Sequence, residues 1–156
     1  MFSLGKPSNF KSRKYGPVRQ VILFCNARDE KHLREWVAHH LLLGFDKIII
    51  FDHKSTLPIN SILKNFSPSS VEVIRTKLDT AIKIPLMNQA ANMAKKLNMD
   101  WMIYLDADEY LVLHHTMSNI KQFIDRYRHA HSIGVNWLMY GSNNLKKDPD
   151  DLILSS

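Results

Sequence analysis

The chain has 156 residues, 45% hydrophobic and 23% charged, the balance of one globular domain with a sizeable core. Its net charge of +6 favours anionic partners, and nucleic acid, an anionic membrane surface and a sugar nucleotide all meet that description. The single cysteine, Cys25, excludes an internal disulfide, and no apolar run is long enough to cross a bilayer. Residues 1–20 also lack the apolar centre of a secretory signal, so we expect a cytoplasmic protein.

The first residues are basic and rich in turn formers. Residues 1–17 carry four Lys or Arg side chains among Ser, Asn, Gly and Pro, which predicts a flexible or loosely docked arm. A domain is expected over residues 18–156. It opens with a predicted strand over 18–24, followed by a polar strand-to-helix loop at 26–30.

The next segment has the pattern of an amphipathic helix. Its apolar stripe has helical spacing and comprises Leu33, Trp36, Val37, His40 and Leu41. Gly44 follows where a left-handed residue is expected to end the helix. His39 and His40 are adjacent, so we expect them to diverge on the helix and not to hold a metal together.

Strands and helices then alternate along the chain. Further strands are predicted over residues 47–51, 71–75, 101–105 and 133–137. Helices are predicted near residues 59–65, from Pro85 to about Leu97, and from a cap at Ser118 to about Arg128. Leu97 and Tyr127 are assigned to the core faces of the last two. This alternation predicts an α/β fold with a mainly parallel, Rossmann-like sheet flanked by helices on both faces.

Two of the predicted strands end in acids. Asp52 follows one, and Asp106 and Asp108 follow the apolar run from Trp101. Two carboxylates that lean to one side repel unless a cation lies between them, and a divalent ion could keep positions open for substrate phosphates. We expect these two strands to lie side by side in the sheet, so that Asp52 shares the crevice and accepts hydrogen bonds from a ribose or base. The alternatives are solvated acids at a strand-to-helix turn and, for Asp52, a turn-capping role.

Four segments in this order resemble a known group of enzymes. The segments are Cys25–Glu30 with Leu33–His40, Gly44–Asp52, Trp101–Leu111 and Gly134–Ser142. Together they resemble the family-2-like and family-92 glycosyltransferases, whose nucleotide-binding domain has the A-type (GT-A) fold. The resemblance implies transfer of a hexosyl or deoxyhexosyl group from a nucleotide diphosphate-sugar donor to a hydroxyl of a glycan, glycoprotein or glycolipid.

The resemblance also implies roles for individual residues. It implies that Asp106 and Asp108 bind the metal, Mn²⁺ or Mg²⁺, and that Asp106 also lies near the donor ribose. Asn26, Arg28 and Asp52 match positions around the nucleoside.

Further residues receive roles by their position in the sequence. On the helix before Trp101, Gln89 and Asn92 are expected to face the donor. Arg28 and Lys83 are, by position, the candidates for basic groups near the diphosphate. An inverting enzyme needs a base, and the candidates are Asp148, Asp150 and Asp151, whose sequence context is also that of a solvated turn. Relatives extend beyond the point where this chain stops, so we expect the acceptor part to be short or missing.

The sequence can also be compared with four other classes of function. One is a sugar-nucleotide-binding domain without turnover. An aspartyl phosphatase is disfavoured, because Tyr110 stands where a Thr or Val is usual. A nucleotidyltransferase would carry a Gly-rich basic loop after its first strand, and this chain has none. A nucleic-acid platform is disfavoured because the aromatic residues lie in apolar runs and do not alternate with Lys and Arg.

Overall fold

The computed structural model describes residues 2–5 and 17–139. Its strands are β1 (Phe2–Gly5), β2 (Val21–Ala27), β3 (Lys47–Asp52), β4 (Val71–Arg75), β5 (Trp101–Asp106) and β6 (Ser132–Val135). Its helices are α1 (Leu33–Leu42), α2 (Ile59–Ile62), α3 (Lys83–Lys96) and α4 (Ile120–Arg126).

The strands form one six-stranded sheet in the order β4-β3-β2-β5-β1-β6. The first four of these are parallel, while β1 runs antiparallel to both of its neighbours. Helices flank the parallel part, so the predicted α/β fold with a mainly parallel sheet is confirmed. The strand β1 was not expected within the basic arm; residues 6–16 lie outside the described residues.

The parallel strands are buried on both faces, which is why their sequences are continuous apolar runs. In β2, Leu23 and Cys25 face a core that includes Trp36 of α1. Ile22 and Phe24 of the same strand face a second core. Each fully buried side chain of this size contributes roughly 1.5–3 kcal/mol relative to exposure. The two cores hold α1 and α4 on one face of the sheet and α3 on the other.

The strands that end at Asp52 and Asp106 are not neighbours. Strand β2 lies between β3 and β5, so the prediction that these two strands lie side by side was wrong. Both still end at the same edge as β2. An alternation of apolar segments does not fix strand order, because a parallel crossover can return to either side of an existing strand.

Several element ends differ from the sequence predictions. Strand β2 ends at Ala27 and not at residue 24, because its pairing with β3 continues to that residue. Helix α4 is capped by Asn119, whose Oδ1 accepts the Lys121 N–H at 2.8 Å, and not by Ser118. The predicted core positions Leu97 and Tyr127 are both exposed, since each follows the last residue of its helix.

Across the described part of the chain, none of the helices combines the length and the apolar character that a bilayer crossing requires.

Candidate active site at the carboxyl edge of the sheet

Asn26 and Asp106 lie side by side at the carboxyl ends of β2 and β5. They are register partners, so their side chains leave the same face of the sheet. The Tyr104 hydroxyl lies 3.1 Å from Asn26 Oδ1 and donates to it. In α/β sheets this edge is where ligands bind. The structure therefore brings two of the predicted donor-site residues together.

Asp106 is held by a lysine from the facing helix. Lys83 begins α3, and its Nζ lies 2.8 and 2.6 Å from the two carboxylate oxygens of Asp106. Both side chains are partly exposed, so solvent weakens the pair and its net contribution to stability is small. The sequence had suggested Lys83 as a basic group of the site by its position only. The structure pairs it with Asp106, one of the predicted metal ligands.

The residues after β5 form a turn closed by Glu109. Glu109 Oε2 accepts the Asp106 N–H at 2.7 Å, and the Glu109 N–H returns to the Asp106 carbonyl at 3.1 Å. The bond to the Asp106 carbonyl closes a turn of four residues, and the Glu109 carboxylate satisfies the N–H at its start. This reciprocal pair fixes the backbone of the acidic segment (residues 106–111), in which the Asp108 side chain is exposed.

Negative charge accumulates at this edge. Burial raises the pKa of Glu30, and the charges of Asp108, Asp106 and Asp29 raise it further. Burial also raises the pKa of Glu109. The hydrogen bond from the Asp106 N–H lowers this pKa, whereas the charges of Asp106 and Asp108 raise it. Both glutamates thus bind protons more readily than isolated carboxyl groups. An added cation would relieve the same repulsion.

Cys25 lies beneath this acidic edge and is fully buried. Burial raises the pKa of its thiol, and the charges of Asp106 and Glu30 add to the effect. A thiol that resists deprotonation is a poor nucleophile, so Cys25 is a structural residue of the core.

Asp52 occupies a different environment. It is only 2% exposed, its Oδ1 accepts the Ser55 N–H at 2.9 Å, and Arg75 lies 3.7 Å from Oδ2. In the sheet, Asp52 pairs with Ala27 and Asp106 pairs with Asn26. Because Asn26 and Ala27 are consecutive residues of β2, the side chains of Asp52 and Asp106 leave opposite faces of the sheet. The geometry matches the alternative of a turn-capping aspartate.

The loop that Asp52 orders is tied to the loop after β2. The Asp29 N–H donates to Ser55 Oγ at 3.2 Å, and Asp29 Oδ1 accepts the Thr56 N–H at 2.7 Å. Asp29 adopts a positive φ of 54°, which aspartate tolerates better than most residues. Asp52 therefore orders the loop after β3, and through Ser55 and Thr56 that loop is bonded to the loop after β2.

The remaining predicted site residues are more dispersed. Arg28 is exposed beside Asp29, with Nε 4.0 Å from Oδ2. Gln89 and Asn92 are exposed on later turns of α3. The candidate bases Asp148, Asp150 and Asp151 lie outside the described residues.

The sequence predictions missed the glutamates at this edge. Glu30 was assigned only to a polar loop, although it stands three residues after the end of β2, where an edge-facing side chain is expected. Glu109 was counted among the acids after β5 without a role. Its signal was its position three residues after Asp106, from which a carboxylate can accept the Asp106 N–H.

Among residues 2–5 and 17–139, no group of three His, Cys, Asp or Glu side chains is arranged to hold a metal ion. Asp106 and Asp108 offer hard oxygen ligands, and ions such as Mg²⁺ usually keep several waters and take further ligands from substrate phosphates. Two carboxylates in a strongly acidic setting fit that mode of binding.

Comparison with known families decides the class of protein. The model for glycosyltransferase family 92 matches residues 22–153, most of the chain. The chain belongs to glycosyltransferase family 92. Comparison with curated proteins and with solved structures gave no match. Membership in family 92 makes the protein a glycosyltransferase, with a sugar donor and a glycan acceptor as the partners of the reaction. The match includes every candidate site residue named above.

Proposed function

We propose that this family 92 protein has an A-type fold and transfers a hexosyl or deoxyhexosyl group from a nucleoside diphosphate-sugar to an acceptor hydroxyl, with inversion. The observation that supports the donor site is the pair that Lys83 Nζ forms with Asp106 at the carboxyl edge, at 2.8 and 2.6 Å, where the charges of Asp106 and Asp108 also raise the pKa of Glu30. The acceptor oxygen forms the new bond to the sugar carbon, and the diphosphate departs with the electrons of the bond that breaks.

Asp106 and Asp108 would hold a Mn²⁺ or Mg²⁺ ion together with the donor diphosphate. When bound, such an ion stabilises the negative charge that develops on the departing diphosphate. The mutual repulsion of the acids around Glu30 supports a cation at this place. Glu109 keeps the segment in shape through its bond to the Asp106 N–H.

Lys83 is the basic side chain that we assign to the donor diphosphate. Its side chain is about half exposed and pairs with Asp106. A lysine ammonium binds phosphate as a point charge. With Asp106 committed to a divalent ion, Lys83 would be released to bind the diphosphate and would add to the stabilisation of the leaving group.

Asn26 and Arg28 border the nucleoside, and Asp52 supports that region through the loop that it orders. Gln89 is proposed to approach the donor from α3. The acceptor proton goes to a base among Asp148, Asp150 and Asp151, as the sequence suggests. General-base assistance of this kind contributes about 10²- to 10⁴-fold in rate.

The proposal is tested by a thermal-shift screen of the 156-residue chain against UDP-, GDP-, ADP- and CDP-sugars, each with Mn²⁺ and with EDTA. A ligand at 100 times its Kd stabilises the native state by about 2.7 kcal/mol. For a chain of this size, that corresponds to a rise in Tm of roughly 5–10 °C. The matching nucleoside monophosphates serve as controls, because they lack the diphosphate that an ion would bridge.

We expect one class of nucleoside diphosphate-sugar to raise Tm in Mn²⁺ and much less in EDTA. The donor identified in this way is then followed for release of nucleoside diphosphate with candidate glycan acceptors. The donor-site proposal is wrong if no diphosphate sugar raises Tm in either condition. The metal requirement is wrong if the shift is equal in EDTA.

A further inference from the structure

One face of α1 forms hydrogen bonds with the backbone of the acidic segment. The Trp36 Nε1–H donates to the Glu109 carbonyl at 2.7 Å. His39 Nε2 lies 2.8 Å from the Leu111 carbonyl oxygen, which can only accept, so this nitrogen carries the hydrogen. His40 Nε2 accepts the Leu111 N–H at 3.2 Å. Three side chains thus fix three backbone atoms immediately after the Asp-x-Asp pair.

His40 is committed to one tautomer by its two contacts. Its Nδ1 lies 2.8 Å from the Trp36 carbonyl and must donate, which leaves Nε2 as the acceptor for the Leu111 N–H. The side chain is fully buried. Burial lowers the pKa of His40 to about 3, so the ring stays neutral and keeps its acceptor at neutral pH.

Apolar contacts join the same surfaces. Ala107 and Leu111 are buried in the core that contains Trp36, while Asp108 between them is exposed. The segment is therefore anchored on both sides of its exposed acid. His39 and His40 were expected to diverge on the helix, yet both reach Leu111, because two neighbouring side chains can contact the N–H and the carbonyl of one residue.

We propose that Trp36, His39 and His40 are positioning residues that hold the acidic segment in the conformation required to bind a metal–diphosphate donor. The inference rests on the proposed function and extends it, since it gives α1 a part in donor binding without any contact to the donor. A segment that is already ordered loses less conformational entropy on binding. Groups that orient metal ligands typically affect metal affinity by about 10- to 100-fold.

The test uses the full chain with substitutions that remove one hydrogen bond each. Trp36→Phe keeps an aromatic ring and removes the Nε1–H, and His39→Ala removes the donor to Leu111. His39→Gln restores an N–H that can reach the same carbonyl. Val37→Ala is the matched control: Val37 is buried on the same helix but packs against the sheet core.

Two quantities are measured for each variant. One is the Kd for Mn²⁺ with whichever of UDP, GDP, ADP or CDP stabilises the parent chain. The other is the hydrogen-exchange rate of the amides of residues 107–111 relative to those of β2. We expect His39→Ala and Trp36→Phe to weaken binding about tenfold and to speed exchange in residues 107–111 by a similar factor. His39→Gln should recover most of both losses.

Val37→Ala should lower Tm without a selective change in either quantity. If Trp36→Phe and His39→Ala leave both the Kd and the exchange of residues 107–111 at parental values, the positioning role is wrong. It is also wrong if Val37→Ala weakens binding as much as they do. A parent chain that binds none of the four diphosphates would instead contradict the proposed function, and the exchange rates would still decide whether α1 holds the segment.

Discussion

At the scale of single residues, the carboxyl edge contains acids whose charges oppose one another. Glu30 is surrounded by the charges of Asp108, Asp106 and Asp29, and Lys83 neutralises only Asp106 directly. A fold tolerates such a cluster at a cost in stability, and clusters of this kind are common where a protein binds a cation or performs chemistry. The cost should therefore be measurable in the ligand-free chain.

Glu30→Gln should raise Tm at pH 7 in the absence of metal. The folded-state pKa of Glu30 is raised, so the folded chain binds more protons than the unfolded chain between the two pKa values, and ionised Glu30 destabilises it at higher pH. The advantage of the Glu30→Gln chain over the parent should grow as the pH rises through the raised pKa of Glu30, and it should disappear as the pH falls to about 4, the ordinary pKa of glutamate. Thermal unfolding of both chains from pH 4 to 8 gives the difference.

The control for this substitution is Glu72→Gln. Glu72 Oε2 lies 2.9 Å from Lys47 Nζ, so its replacement removes an attraction and should not raise Tm at pH 7. A Glu30→Gln chain that is less stable than the parent at pH 7, or equally stable at every pH, would contradict the crowding of charge at this edge.

At the scale of the elements, α1 and α4 meet end to end through a glycine. Gly44 follows α1 with φ +93°, as its position after the helix predicted. The first N–H of α4, at Ile120, donates to the Leu43 carbonyl at 2.8 Å. A carbonyl at the end of α1 thus pairs with an N–H at the start of α4 that has no partner within its own helix. This junction fixes the direction of α1, which holds the acidic segment.

Gly44→Ala should destabilise the chain for two separate reasons. A left-handed backbone costs a residue with a Cβ about 1–2 kcal/mol. An added Cβ would also lie 2.8 Å from Asn119 Cγ, on the side chain that caps α4. We therefore expect a loss greater than the conformational cost alone, measured as a fall in the free energy of unfolding in urea.

Gly5→Ala is the comparison for this prediction, because a Cβ at Gly5 would meet nothing within 4 Å. It should change stability by much less than Gly44→Ala. Equal effects of the two substitutions would show that the junction at Gly44 does not have the tight geometry described.

At the scale of the whole molecule, the sequence predicted what depends on local pattern. The apolar run of residues 47–51 and the helical stripe through Trp36 predict elements that are present. The order of the strands was not predictable, because each new parallel strand can be added on either side of β2. The position of Asp52 relative to Asp106 depends on that order and on the register of the strands. Contacts such as Lys83 with Asp106 join residues 23 positions apart and arise only from packing.

We propose that Asp108 helps to bind the donor through a divalent ion at the carboxyl edge. Asp108→Asn keeps the shape of the side chain and removes its charge, and Asp108 is exposed, so the fold should be preserved. Glu72→Gln, which removes one negative charge from β4, is the matched control.

The decisive measurement is the calorimetric Kd of the diphosphate sugar found in the screen, in Mn²⁺ and in EDTA, for the parent and both variants. We predict that Asp108→Asn weakens binding in Mn²⁺ by at least about tenfold, that it leaves the weak binding in EDTA unchanged, and that Glu72→Gln matches the parent. A chain with Asp108→Asn that binds the donor in Mn²⁺ as tightly as the parent would contradict the claim.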